Sequence, residues 1–399
     1  MKLHDISRRI LLQGMGAVCL NAAIAANAAS SDAADERILV VLELTGANDG
    51  FNTLVPYGND HYYRLRPRIG LPPNTLRKID EMHGFNPSMA GFERLYKDGH
   101  LAVVHGCGYD NPSYSHFTSA GYWHTGAPNS GEPYGWLGRL ADAIDPAFKP
   151  NFLVGIGERQ SLSVHAAHHV PVVFDDPEQF DRKGLYQSRT LLEQGDGQHH
   201  VAGNPTLGYL EEVALSARQA SQQVRQAWSN YRSPADYGLI AMDLPKVAAM
   251  IAARLPARIY HTAYRHNAFD THVHQSETHQ RLLSYVSQSI SGFMQDVRRI
   301  GRAKDVTVMV VSEFGRRPAE NTSLGTDHGT ANHVYLIGES VRGGQYGRVP
   351  DWTARNADGN LAHTVDFRRV YASVAHDWMG ADSARLLRGS FERLPLFAT

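Results

Sequence analysis

Ile38-Leu39-Val40-Val41-Leu42-Glu43-Leu44 runs directly into Thr45-Gly46-Ala47-Asn48-Asp49-Gly50. A nearly unbroken apolar run of strand length, closed by a turn rich in Gly and Asn, is the pattern of a strand buried on both faces. Such strands belong to parallel sheets covered by helices on each side. Working outward, runs of the same kind recur at Leu101–Gly106, Phe152–Ile156, Val306–Val311 and Val334–Gly338. Between them, Ser276 to Arg302 places Leu282, Leu283, Val286, Ile290, Phe293, Met294, Val297 and Ile300 three or four apart, which predicts one long amphipathic helix. That helix feeds the Val306 run as a crossover unit would. The stretch Leu207–Arg265 also reads as helical, and Val170–Gly203 as loop. The expected architecture is a single α/β domain over residues 29–399, a mostly parallel sheet flanked by helices, with helical and loop insertions.

Ahead of this domain, Ser7-Arg8-Arg9-Ile10-Leu11-Leu12 places paired arginines before a moderately apolar stretch that ends at Ala26-Asn27-Ala28, a small-x-small cleavage pattern. Residues 1–28 therefore read as a twin-arginine signal, which predicts a periplasmic or secreted protein carried by the twin-arginine export machinery, with no transmembrane anchor in its mature form. Removing residues 1–28 removes Cys19 and leaves Cys107 as the sole cysteine, so an internal disulfide is ruled out. With 39 basic and 40 acidic residues there is no broad field to attract nucleic acid or an anionic membrane. The 21 histidines, many beside Asp, Asn or Gly, raise the prospect of a metal centre.

In open parallel sheets, ligands bind beyond the carboxyl ends of the strands. The polar clusters sit there. Asp49 follows the first strand, Ser115-His116 follows the second, Glu313 follows the Val306 strand, Asp327-His328 precedes the Val334 strand, and Asp270-Thr271-His272 precedes the long helix. Asp49, Asp270, His272, Glu313, Asp327 and His328 are the candidate ligands of one or two divalent ions such as zinc, manganese or calcium. Each has a structural alternative: Asp49 as a turn residue, Asp270 as a helix cap, Glu313 as an ion-pair partner of Arg316 or Arg317.

The same segments, Leu42 through Pro56, Ser115-His116-Phe117, Phe269-Asp270-Thr271-His272, Ser312-Glu313-Phe314-Gly315-Arg316 and Gly325-Thr326-Asp327-His328-Gly329, resemble the exported proteins grouped as domain of unknown function 1501. That family in turn resembles the alkaline phosphatase and sulfatase superfamily. The resemblance implies metal ligation by Asp49, Asp270, His272, Glu313 and His328, with Ser115 in the nucleophile position. Glu313-Phe314 stands where the superfamily more often has Asp-His, and His272 follows Asp270 at a shorter interval than phosphatases use. Cys107 lacks the context of a formylglycine precursor. The expected function is metal-dependent hydrolysis of phosphate or sulfate esters, on a small-molecule or polysaccharide substrate, by Ser115 or by a hydroxide held on the metal. His116 or His328 would serve as a proton donor, and Arg316 or Arg317 as the clamp on the ester oxygens. The alternative is a metal-containing, non-catalytic protein that binds polysaccharide at the cell surface.

Overall fold

The computed structural model describes residues 36–180 and 220–398. The signal segment, residues 1–28, lies outside them, as do 181–203 of the expected loop and 207–219 of the expected helical stretch. Among the described residues no helix is long and apolar enough to cross a membrane.

The strand that opened the sequence reading is β1 (Ile38–Leu44), buried at every position. A short three-stranded sheet of β2 (Leu54–Val55), β3 (Arg77–Lys78) and β4 (Gly84–Phe85) follows. The chain then supplies β5 (Leu101–Gly108), β6 (Leu153–Ile156), β7 (Val172–Phe174), β8 (Ile259–Tyr264) and β9 (Val306–Val311). After the hairpin β10 (Arg316–Glu320) and β11 (Thr326–His328) come β12 (Asn332–Ile337), β13 (Gly344–Tyr346) and β14 (Val365–Asp366). Among the described residues the central sheet has nine strands, in the order β13-β5-β12-β9-β1-β8-β6-β7 with β14 also on β5. Only β12, among the described residues, runs against its neighbours; β1 is parallel to both β8 and β9.

Alternation along β1 explains its continuous apolarity. Val40 and Leu42 enter one core, while Leu39 and Val41 enter the other. The helices include α1 (Gly50–Thr53), α2 (Ala90–Lys97), α3 (His116–Thr125), α4 (Trp136–Ile144), α5 (Leu244–Ala252), α6 (Gln275–Arg299) and α7 (Phe367–Ser373), and Asp60–Leu65 forms a further short one. The predicted stripe of α6, with Leu283, Val286, Ile290, Phe293 and Val297 fully buried, covers the first face. Leu137 and Leu140 of α4 and Phe367 and Val370 of α7 cover the second. Each such side chain contributes roughly 1.5–3 kcal/mol by leaving water, so a charge at Ile290 would separate α6 from the sheet.

One stretch needs correction. Residues 220–230 and α5 are helical, but Ile259–Tyr264, expected to continue that helix, is the strand β8 beside β1. Its residues are buried on alternate faces within a run too short to show a period, and Ile, Tyr and Thr favour the pleated surface.

Candidate functional site

Four chain segments meet beyond the carboxyl ends of β1 and β9. The turn after β1 comes within reach of the loop before α6 because residue 46 is glycine. Its φ is +104°, and a Cβ there would lie 2.5 Å from the Asp270 backbone nitrogen. The β10–β11 hairpin pairs Arg316 with His328 across its strands. The fourth segment is α3, whose first residue is His116 and whose N-cap is Ser115.

Asp270 is the focus of this meeting, with its side chain 31 % exposed. His116 Nε2 lies 3.4 Å from Asp270 Oδ2, while His328 Nε2 and His272 Nε2 lie 3.3 and 3.0 Å from Oδ1. The protons on these rings follow from their other nitrogens. His328 Nδ1 is 2.8 Å from the Tyr114 carbonyl, which only accepts, so Nδ1 carries the hydrogen and Nε2 a lone pair. His116 Nδ1 donates to Glu313 Oε1 at 2.7 Å, leaving its buried Nε2 with no hydrogen bond. His272 Nδ1 faces Asp327 Oδ1 at 3.4 Å, and its Nε2 sits beside an Arg316 N–H, a group that cannot accept. His272 Nε2 and His328 Nε2 approach to 2.8 Å. Lone pairs facing lone pairs and a carboxylate repel unless a proton or a cation lies among them. One ligand atom each from His116, Asp270 and His328 falls within a 4.8 Å span, the donor set and compactness of a divalent-ion site.

The electrostatics favour an ion at His328 and Asp270 and set a proton in competition with it at His116. Burial lowers the His328 pKa and the Arg316 charge adds to the effect, so His328 is neutral and ready to ligate. The hydrogen bond to Glu313 raises the His116 pKa against the effect of burial. Burial alone would raise the Asp270 carboxyl, and Arg316 overrides it to hold the pKa below its ordinary value.

Residues 36–391 match the family described as "Protein of unknown function (DUF1501)". This chain belongs to the DUF1501 family. No curated protein matches the DUF1501 chain. Among solved structures it is similar to the lipoteichoic acid synthase LtaP from Listeria monocytogenes, at 9% identity and TM-score 0.40 over 89% of this chain and 75% of that one. It is also similar to a protein in the alkaline phosphatase superfamily from Vibrio parahaemolyticus (10% identity, TM-score 0.35, 79% of this chain and 63% of that one). A third is the periplasmic domain of EcEptC from Escherichia coli in complex with Zn (10% identity, TM-score 0.35, 87% of this chain and 83% of that one). Likeness this remote leaves the chemistry of the DUF1501 site to its own residues.

Not every expected residue reaches the DUF1501 site in the expected role. Asp49 is fully buried: Arg66 donates to both its oxygens, Gln275 Nε2 donates to Oδ2 at 2.5 Å, and the Phe51 N–H caps α1 on Oδ1. Its lone pairs already receive donors, so Asp49 serves the turn, as its structural alternative has it, and also caps the short helix that follows. Glu313 stands behind His116 rather than beside Asp270; Oε1 accepts from the Gly46 N–H and from His116. Arg316 is 1% exposed, and its guanidinium is spent inside the protein: Nε donates to Ala47 O, Nη1 to Thr326 O, and Nη2 to Gly46 O and Asp270 Oδ1. It positions Asp270 and is closed to an ester oxygen. The guanidinium open to solvent is that of Arg317, 41% exposed. Asp327 is half-exposed and orients His272, helped by Asn321. Ser115 is exposed, and its Oγ accepts weakly from the Thr118 N–H at 3.4 Å. Cys107 is buried in β5, where burial raises its thiol pKa, so it has no access to the site. Sequence reasoning missed the Tyr114 carbonyl and the ring of Phe314, which packs 4.8 Å from His328. A backbone acceptor leaves no mark in a sequence.

Proposed function

We propose that this protein is a metal-dependent hydrolase of phosphate or sulfate esters, with one divalent ion held by His116, Asp270 and His328 and with His272 at its margin. The observation that carries the reading is the convergence of the His116, His272 and His328 Nε2 atoms on the Asp270 carboxylate, each ring held through its other nitrogen. Two imidazoles with one carboxylate suit zinc or manganese; calcium prefers an all-oxygen shell. Such an ion supplies Lewis-acid polarisation of an ester oxygen.

The chain's own groups then have separable tasks. Glu313 and the Tyr114 carbonyl hold His116 and His328 in the ligating tautomer. Ser115 presents a hydroxyl at the amino end of α3, where the helix favours developing negative charge, one residue from His116. Arg317, exposed and only loosely paired with Asp327 at 3.9 Å, is better placed than Arg316 to meet a tetrahedral oxyanion. The twin-arginine reading of residues 1–28 puts this activity outside the inner membrane. The exposed Phe117 ring, 91% accessible beside Ser115, gives a sugar or other flat substrate a stacking surface and favours polysaccharide esters.

The test uses stripped protein reloaded with zinc or manganese and assayed on aryl phosphate, phosphodiester and aryl sulfate. Turnover should require metal and fall by at least about 100-fold in Ser115→Ala, the scale of a lost nucleophile. Metal-dependent turnover that survives Ser115→Ala would assign attack to water. Tight metal uptake without turnover on any of the three esters would defeat the hydrolase reading in favour of a binding protein.

A further inference from the structure

A second cluster lies on the β1–β8 face beneath α3. Glu43 shares a face of β1 with Leu39 and Val41, and His261 shares a face of β8 with Ile259; all three apolar residues belong to the same core. In the parallel register Val41 pairs with His261, which puts Glu43 diagonally across from that ring. His124, near the carboxyl end of α3, comes down on both. Its Nε2 is 2.8 Å from Glu43 Oε2, and His261 Nε2 is 3.4 Å from the same oxygen. One ligand atom from each residue falls within a 4.8 Å span.

We propose that Glu43, His124 and His261 bind a second divalent ion of the zinc type. A buried ion pair between Glu43 and His124 would account for those two residues, and their pKa directions agree with it: burial would raise Glu43, but His124 brings it below its ordinary value, while His124 is raised by Glu43 against burial. It does not account for His261. That side chain is only 7% exposed, and its Nε2 stands a long 3.4 Å from the Glu43 oxygen that His124 already meets at 2.8 Å, outside full hydrogen-bond geometry. A buried polar atom left this way is costly in a sheet of Val, Leu and Ile, and coordination satisfies it. Two imidazoles and a carboxylate are a common zinc set, with a fourth position left for water on the side where His124 is 19% exposed.

This ion would not be half of a two-metal catalytic pair. His116 and His124 are eight residues apart on one helix, about 12 Å at 1.5 Å per residue, whereas two-metal sites hold their ions about 4 Å apart. Its role is to fasten the far end of α3 to β1 and β8, and so to fix the helix that carries Ser115 and His116 at its other end.

The experiment compares full-length wild type with His261→Gln, His124→Gln and His328→Gln after chelation and reloading with zinc, counting bound zinc by elemental analysis and following thermal unfolding. His261→Gln and His124→Gln should each hold roughly one equivalent less than wild type and lose most of the zinc-dependent rise in melting temperature. His328→Gln should keep this ion, so failure here is distinct from failure of the site at Asp270. Undiminished zinc binding in His261→Gln and His124→Gln would overturn the proposal. If those variants do not fold, anomalous diffraction at the zinc edge from wild-type crystals decides it. A peak about 2.0–2.2 Å from the Glu43 carboxylate and both Nε2 atoms is expected, and none there would overturn it.

Discussion

Two aspartates, Asp49 and Asp270, sit in loops at the same end of the sheet, and each is gripped by a buried arginine. Arg66 holds Asp49, Arg316 holds Asp270, both at 2.6 Å. The rest of their surroundings differ in kind. Around Asp49 every neighbour is a donor, so the carboxylate is saturated and sealed. Around Asp270 the neighbours beyond Arg316 are imidazole nitrogens with lone pairs, and the carboxylate is partly open. The lesson is that an arginine partner does not decide whether an aspartate is structural. What decides it is whether the remaining lone pairs meet hydrogens or other lone pairs.

The largest effect should come from breaking the sealed member. Asp49→Ala leaves Arg66 buried without its counter-charge and should cost about 3–5 kcal/mol in chemical denaturation, with zinc uptake by the remaining folded protein unchanged. The loss depends on pH. Arg66 holds the folded Asp49 pKa below its ordinary value against the effect of burial. The stabilisation is therefore complete above the unfolded pKa of about 3.9 and disappears as pH falls through the folded pKa. The gap between wild type and variant should close in acid. A gap that stays constant down to that range would mean Asp49 is not ionised in the folded protein.

Asp270→Asn should do the reverse. Arg316 keeps its backbone carbonyl partners, so unfolding should move by only about 1–2 kcal/mol, while zinc affinity measured by calorimetry should fall by roughly 100-fold or more, about 2.7 kcal/mol. Should Asp270→Asn unfold the protein and spare its affinity, the comparison between the two aspartates would be inverted. A finer test is Glu313→Gln, which leaves the ligands in place and removes the charge behind His116. Zinc affinity at neutral pH should drop by about 10- to 100-fold. Because Glu313 raises the His116 pKa, protons compete with zinc up to a higher pH in wild type, and the midpoint of uptake against pH should move down in the variant. An unmoved midpoint would remove Glu313 from its orienting role.

These particulars also show what was legible beforehand. β1, β9 and α6 could be read because burial on two faces, or on one helical stripe, writes itself as apolar spacing. β8 could not, since His261 and Thr262 interrupt a six-residue run that sits between helices. Asp327-His328 stood out as polar residues before a strand with no helix to cap and no apolar face to serve, and Asp270 as one before the long helix, where capping was its alternative. Asp49 looked the same by that criterion, and its true partner, Arg66, sits just past the end of a short helix, Asp60–Leu65, with nothing in its local sequence to mark it. Arg316 was found but given the wrong task, because whether a guanidinium faces carbonyls or solvent depends on loops that come from distant parts of the chain.

Arg316 carries one further consequence. A single side chain joins the turn at Gly46-Ala47, the Phe269-Asp270 segment and Thr326 of β11. No one of these strands of loop can swing away without stranding a cation among unanswered carbonyls, so they should exchange their protected amide hydrogens as one cooperative unit with a shared opening energy. The pocket would then be either assembled or absent, with no half-built form in which a stray ion could lodge.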